Sequence, residues 1–427
     1  MLTPRHGREC QHSWHGRHSL ALLGSLCFFL STVEYLIPKP LPFMRLGLAN
    51  MPLLLALDIF GPGDFFLLLL LKILGQGLIG GMIFSHVFLF SIAGTISSGL
   101  LMFGLRRLLG KNLLGFAGLG CAGAMASNSV QLLLARYLIF GPALRYLTAP
   151  FLVSGLVTGI GLGLVCEYFC RHSLWYSQHL SANISRRGAE AQRTQREEKE
   201  EEGKEKREEF MNSESSSAPP EPARAGMVCV RSSWNKFNAE GLVVAGLLMA
   251  LIFLFNRSLE VRIGQFLFFC LLALVSGKKI NLLATALFMV SIVFFHLLAP
   301  FGKVLAVLGP LRITEGSLNA GIDKALIVSG LVILSRISVK SDLKLPGTIG
   351  SLLGESLRML ELIRERRGMI KRNHIISGLD KIMLEMETIA TDAPADTPSE
   401  KQRINGKSIL LLCAMVLITL GMNLIVL

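Results

Sequence analysis

Long apolar segments alternate with short polar ones along most of the chain. A helix needs about 20 mostly apolar residues to cross a bilayer. Eleven segments approach this length, near residues 19–37, 46–60, 65–84, 86–105, 113–135, 147–169, 239–255, 263–277, 280–299, 319–335 and 408–427. The pattern therefore predicts an all-α, polytopic integral membrane protein with about eleven transmembrane helices.

A charged region divides these spans into two groups. Residues 171–236 contain RRGAEAQRTQREEKEEEGKEKREE and then SESSSAPPEPA, a composition that cannot bury an apolar core. We expect a disordered or loosely helical cytoplasmic linker here. It separates a six-span domain at 19–170 from a five-span domain at 237–427, and a basic cytoplasmic segment at 1–18 precedes both.

A second polar region, 349–390, carries apolar residues at helical spacing. The two stripes are Leu353, Leu357 and Leu360, and then Ile375, Leu379, Ile382, Met386 and Ile389. They predict two amphipathic helices on the cytoplasmic side. The apolar faces would contact a partner or the membrane surface, or they would pack on the protein's own cytoplasmic face. The sequence leaves both alternatives open.

Basic residues in the short loops predict the orientation, because membrane proteins keep Lys and Arg preferentially on the cytoplasmic side. The basic clusters fall on one side of a single eleven-span threading; they are the N terminus, Arg106–Lys111, the charged linker, Lys278–Lys279 and Arg336–Lys344. We therefore expect a multi-pass protein of the cytoplasmic membrane, with the N terminus in the cytoplasm and the C terminus outside.

The composition supports a membrane protein. The 427 residues are 51% hydrophobic and 17% charged, whereas an ordinary soluble domain has about 25% charged residues. The net charge of +13 comes from basic residues that flank apolar segments, so we expect no nucleic-acid partner. The first apolar segment could be a signal peptide, but no small-residue cleavage site follows it, and we interpret it as a retained span.

The sequence lacks the motifs of several enzyme classes. It contains no DDxxD motif to hold magnesium on a diphosphate, no GxxxxGK[ST] phosphate-binding loop, and neither HExxH nor GxSxG. We expect no catalytic residue, metal or cofactor in this chain. Any uphill transport would then depend on hydrolysis by another subunit.

Polar residues inside the predicted spans identify a candidate ligand site, because each of them is costly in hydrocarbon. Lys72 lies in the middle of FFLLLLLKILGQGLIGG, and Gln76 follows one turn later on the same face. Lys72 would bind an anionic group of a ligand, or it would form a structural ion pair with Asp58 or Glu34.

A second polar pair, Asn128 and Gln131, lies on one side of a span rich in Gly and Ala. Small residues let helices approach closely, so these amides would join two helices or contact a ligand. The segment 38–45, PKPLPFMR, contains three prolines and is predicted to be an extended loop. Its Arg45 would lie on the outer face as a further substrate contact.

Three segments of the first half resemble a known family. They are IPKPLPFMRLGLANMPLLLALDIFG, SIAGTISSGLLMFGLRRLLG and AGAMASNSVQLLLARYL, and they resemble the Gx transporter family, which is labelled heptaprenyl diphosphate synthase component I. The resemblance covers about 38–165, with Ser127 where the family's HN-x-x-Q motif has histidine. The family looks like the six-span substrate-binding subunits of energy-coupling-factor transporters, and its label implies a link to isoprenoid metabolism.

The second half is similar, in the order of its elements, to the transmembrane coupling subunit of those transporters. Four spans, the segment GPLRITEGSLNAGIDKALIVSGLVIL, two amphipathic helices and a final span follow one another. The resemblance implies that short arginine motifs grip cytoplasmic ABC-type ATPase subunits. The matching residues here are Arg364, Arg366 and Arg367.

Two functions therefore stay open. The protein would bind and translocate a small molecule with the help of separate ATPase subunits. Alternatively, it would be a non-catalytic membrane subunit associated with heptaprenyl or polyprenyl diphosphate synthesis. The coupling-like second half favours transport. The expected partners are ATPase subunits, a small-molecule substrate and the lipid bilayer.

Overall fold

The computed structural model describes residues 5–36, 47–182, 239–256, 258–277, 282–308, 311–339, 347–366, 375–391 and 406–424. Almost all of these residues are helical, which fits the all-α class expected from the sequence. Arg45, Arg367 and most of the charged linker lie outside the described residues.

Helices of the first half correspond to the first six predicted spans. They are α1 (Arg5–Leu36), α2 (Met51–Ile59), α3 (Pro62–Gly80), α4 (His86–Leu113), α5 (Phe116–Ala135) and α6 (Arg145–His172). Proline stands in the first turn of α2 and of α3, where its missing N–H costs nothing. The Ser85 hydroxyl accepts a hydrogen bond from the Phe88 N–H at 3.3 Å and so caps α4.

A further helix, α7, covers residues 174–182. These residues fall inside the predicted linker, yet Trp175 and Tyr176 are buried. Folded structure therefore extends beyond the boundary predicted at residue 170.

The second half contains the remaining helices and one hairpin. Its elements are α8 (Ala239–Phe255), α9 (Leu259–Val275), α10 (Leu282–Leu297), β1 (Val304–Leu308), β2 (Leu311–Thr314), α11 (Glu315–Ser338), α12 (Gly347–Glu365), α13 (Ile375–Thr391) and α14 (Gly406–Leu424). The strands pair in antiparallel fashion, with Val307 opposite Arg312. The helical prediction did not include this hairpin.

Among the described residues, four helical segments are long and apolar enough to cross a membrane. They are Pro62–Gly80, His86–Gly110, Phe116–His172, which includes both α5 and α6, and Glu315–Ser338. Shorter apolar helices occupy Leu48–Ile59, Gly241–Phe255, Leu283–Leu297 and Leu412–Met422. The chain thus has the character of a membrane protein, and the count of eleven spans stays a prediction.

Close helix contacts in the first half depend on glycine. A Cβ atom on Gly120 of α5 would lie 2.5 Å from the carbonyl oxygen of Gly159 in α6. A Cβ atom on Gly75 of α3 would lie 1.8 Å from the Phe28 ring of α1. Glycine at these positions lets the helices approach more closely than any larger residue would allow.

The amphipathic helices α12 and α13 bury their apolar stripes inside the protein. Leu353 and Leu360 of α12 share a buried cluster with Phe28 of α1 and Leu71 of α3. On α13, Leu379, Ile382 and Met386 belong to the main apolar core of the first half. The structure therefore favours packing on the protein itself over the alternative in which these stripes face a partner or the membrane.

Helix α11 contacts one end of the six-helix half. Near its middle, Ala325 shares an apolar cluster with Phe90 and Phe140, close to the start of α4 and the α5–α6 connection. At its C-terminal end, the Ser335 hydroxyl accepts a hydrogen bond from the Phe84 N–H, at 3.1 Å, in the α3–α4 turn. Helix α11 therefore connects the second half to the end of the first half that carries these two connections.

Candidate functional site

A polar cavity lies inside the first half, between helices α1 to α6. The cavity is partly open to solvent. Its lining consists of Glu34, Gly47, Ala49, Asn50, Leu54, Lys72, Gln76, Ser91, Gly94, Thr95, Ser98, Met102, Gly120, Ala124, Ser127, Asn128, Gln131, Thr158, Gly159 and Leu162. Four of the substrate-binding residues predicted from the sequence, Lys72, Gln76, Asn128 and Gln131, are therefore brought together.

Lys72 projects from the middle of α3 and is only 2% exposed. Its ammonium group donates a hydrogen bond to the Asn50 side-chain oxygen, at the turn that precedes α2. Glu34 lines the same cavity, whereas Asp58, the other candidate partner, binds Arg106 at 2.7 Å. The structure thus places a buried cation at the cavity and assigns Asp58 to a different ion pair.

Gln76 connects three helices at the cavity wall. Its amide nitrogen donates to the Ser31 hydroxyl of α1 at 2.8 Å. Its carbonyl oxygen accepts a hydrogen bond from the Ser91 hydroxyl of α4, also at 2.8 Å. These two contacts fix the amide plane, and through them Gln76 joins α3 to α1 and to α4 at the cavity wall.

Asn128 and Gln131 occupy the opposite wall, on α5. The Asn128 amide donates to the Phe151 carbonyl of α6 at 3.1 Å, which is the helix–helix contact left open by the sequence. Gln131 donates to the Ser127 hydroxyl at 2.8 Å. A Cβ atom on Gly94 would lie 2.5 Å from the Gln131 amide nitrogen, so glycine at this position makes room for that amide.

Hydroxyl groups on α4 complete the site, and they are not among the site residues predicted from the sequence. Ser91, Thr95 and Ser98 line the cavity. Their spacing of four and three residues places them on one helical face, a signal that is visible in SIAGTISSG. Asn50 and Thr158 also line the cavity, but no local pattern identified them, because the tertiary structure brings them there.

Two of the candidate coupling arginines, Arg364 on α12 and Arg366 directly after it, are described, and neither is among the residues that line the cavity. Arg364 is exposed. Arg366 is half-buried and donates to Glu385 of α13, forming an ion pair between the two amphipathic helices. Within the described part of the chain, no group of three or more His, Cys, Asp or Glu residues is arranged to hold a metal ion.

Comparison with protein families gives two matches. Residues 23–169 match the family described as heptaprenyl diphosphate synthase component I. Residues 242–341 match a domain of unknown function (DUF8519). The first match supports the family label that the sequence segments between 38 and 165 suggested. Neither match tests the likeness to energy-coupling-factor subunits, which stays a prediction.

No curated protein and no solved structure matches the chain. The family match covers helices α1 to α6 and with them the cavity-lining residues. The second match covers α8 to α11 and stops before the amphipathic helices. The first matched segment ends before the charged linker and the second begins after it.

Proposed function

We propose that this chain is a membrane transport protein that binds a small molecule in the cavity of its first half and depends on separate ATPase subunits. One observation carries the proposal. Amide, hydroxyl and charged side chains from α1, α3, α4, α5 and α6, together with Asn50 in the turn before α2, converge on one cavity. Polar groups are costly inside a membrane and usually mark a ligand site or pathway.

The second half contacts the helices that form this cavity. Leu353 and Leu360 of α12 pack with α1 and α3, which supply Glu34, Lys72 and Gln76 to the lining. Movement of α12 would therefore displace the cavity walls directly. Such a mechanical connection supports a coupling role for the second half.

A soluble partner would find an accessible polar surface on α12. Arg358, Glu361 and Arg364 are exposed on α12, whereas Leu353 and Leu360 are buried. Arginine suits such a contact because its planar guanidinium binds carboxylates and carbonyls in fixed geometry. The sequence has no phosphate-binding loop, so an ATPase subunit would supply the energy.

The pairing of Arg366 with Glu385 modifies the coupling proposal. This ion pair joins α12 to α13, so we assign Arg366 to holding the two helices together and Arg364 to direct contact with the ATPase. Arg367 remains part of the proposed contact from its position in the arginine motif.

A second candidate function is that of a non-catalytic membrane subunit in heptaprenyl diphosphate synthesis. The family description matched by residues 23–169 favours it. The catalytic step would then belong to a separate subunit carrying the DDxxD motif that this chain lacks. The two candidates differ in the partner that they require.

Purification of the full-length protein from its native membranes in a mild detergent distinguishes the candidates. Transport predicts that subunits with a phosphate-binding loop co-purify and that vesicles take up the bound molecule only with ATP. Arg364→Lys together with Arg367→Lys should reduce co-purification, while Arg171→Lys, an exposed residue at the end of α6, serves as the control. Co-purification of a DDxxD synthase in place of the ATPases would support the second candidate.

A further inference from the structure

Gln131 presents an unused hydrogen-bonding atom to the cavity. The residue is 3% exposed, and its amide nitrogen already donates to Ser127. Its side-chain carbonyl oxygen is buried and has no hydrogen-bond partner among the residues that the structure describes. Because a buried carbonyl without a donor is unfavourable, this oxygen is suited to accept a hydrogen bond from a bound molecule.

Among the described residues of the cavity lining, the charges cancel. Lys72 and Glu34 are the charged residues in this described lining, and they have opposite signs. A prenyl diphosphate carries several negative charges, which would require several cations or a metal ion in a buried site. The described lining has one lysine and an opposing carboxylate, so it fits a neutral molecule, including a zwitterion, better than a diphosphate.

The lining is also poorly suited to a hydrocarbon chain. Its apolar side chains are those of Ala49, Leu54, Met102, Ala124 and Leu162, and no aromatic residue is among the lining residues of the described chain. Hydroxyl and amide groups lie between them on α3, α4, α5 and α6. A prenyl chain placed there would cover these groups without giving them hydrogen-bond partners.

We propose that the cavity selects a compact, electrically neutral, hydrophilic molecule and excludes prenyl diphosphates. In this arrangement the Gln131 carbonyl accepts a hydrogen bond from a hydroxyl, amine or amide group of that molecule. The inference rests on the proposed ligand-binding role of the first half. A site built around an unpaired buried carbonyl discriminates against analogues that lack the donor, which makes Gln131 a specificity-determining residue.

The retained molecule can be measured directly. The full-length protein is purified from its native membranes, denatured, and the released compounds are identified by mass spectrometry. We expect a neutral, hydrophilic compound in stoichiometric amount. Gln131→Met should lower its retention about fivefold to tenfold through loss of one hydrogen bond. Thr158→Val, which removes a lining hydroxyl while keeping the side-chain shape, should also lower it.

Gln178→Met is the matched control, because Gln178 is exposed on α7, outside the cavity lining. The Gln178→Met variant should retain as much of the bound compound as the wild type. Farnesyl diphosphate serves as a direct probe of the excluded class, and it should leave the thermal unfolding midpoint of the wild type unchanged.

Three results would overturn the inference: release of a prenyl diphosphate from the wild type, stabilisation of the wild type by farnesyl diphosphate, or equal retention by the wild type, Gln131→Met and Thr158→Val. These results are separate from a failure of the transport proposal. A retained neutral compound without ATPase subunits would leave the substrate class standing and remove ATP-driven transport. A retained prenyl diphosphate with ATPase subunits would overturn the proposed substrate class and leave ATP-driven transport standing.

Discussion

Arg106 of α4 holds Asp58 of α2 through two parallel hydrogen bonds. The guanidinium Nε and Nη2 atoms donate to the two carboxylate oxygens at 2.9 and 2.7 Å. The Tyr176 hydroxyl of α7 donates to the same carboxylate at 3.1 Å. The side chains of Arg106 and Asp58 are 10% and 5% exposed, so the three helices are joined by a buried, charge-assisted network.

Arg106→Gln should therefore destabilise the protein strongly. The substitution leaves the Asp58 carboxylate buried without its cation, which typically costs about 3–5 kcal/mol. The measurement is thermal or denaturant unfolding of the purified protein in detergent. Arg171→Gln is the control, since Arg171 pairs with Glu167 in an exposed position. Equal losses in the two variants would contradict a structural role for the buried pair.

Tyr176 should make stability depend on pH in the alkaline range. Burial, together with the neighbouring Cys170 and Asp58, raises the pKa of Tyr176 above its usual value. A group whose pKa is raised by folding contributes stability below its unfolded pKa of about 10 and loses that contribution as the pH rises further. The stability advantage of the wild type over Tyr176→Phe should thus shrink above about pH 10.

Unfolding midpoints of the wild type and Tyr176→Phe across the alkaline range test this. Tyr137→Phe is the comparison variant, because Tyr137 is 81% exposed, and it should follow the wild type. A constant difference between Tyr176→Phe and the wild type at every pH would show that folding does not raise the pKa of Tyr176.

Asp380 of α13 should anchor α7. Its carboxylate accepts hydrogen bonds from the backbone N–H groups of Leu174 and Trp175, both at 3.1 Å, and from the Ser173 hydroxyl. It thereby caps α7 from a distant part of the chain. Asp380→Ala should lower the free energy of unfolding by about 1–2 kcal/mol and speed hydrogen exchange in residues 173–182. Asp64→Ala, at an exposed position in α3, should leave that exchange unchanged.

Lys72→Met should remove ligand binding while the protein still inserts into the membrane. The ammonium group is buried at the cavity, and methionine keeps much of the side-chain volume without the charge. Retention of the bound compound and the unfolding midpoint are both measured. Lys303→Met, at an exposed residue before β1, is the control. A lower midpoint with undiminished retention would assign Lys72 a structural role in place of ligand binding.

A topology of eleven spans places the linker and the C terminus on opposite sides of the membrane. A reporter fused at Glu200 should report the cytoplasm, and one fused after Leu427 should report the outside, because the basic clusters agree with one threading. The same side for both fusions would mean that the second half has one span more or fewer than predicted.

The sequence by itself determined the positions of the helices. Apolar runs of membrane-spanning length and the polar segments between them do not depend on distant contacts. The eleven predicted spans therefore each coincide with a helix. The sequence also predicted Lys72, Gln76, Asn128 and Gln131 as site residues, because a polar residue within an apolar helix can be recognised without knowing the fold.

Only the tertiary structure decided what these residues contact. The contacts of Lys72 with Asn50, of Asp58 with Arg106 and of Asp380 with α7 join segments far apart in the chain, and no local pattern encodes them. The contact of α11 with the first half and the burial of the α12 and α13 stripes likewise could not be predicted from the sequence. An amphipathic stripe specifies that a face will be covered, but the shape and chemistry of the surrounding helices decide what covers it.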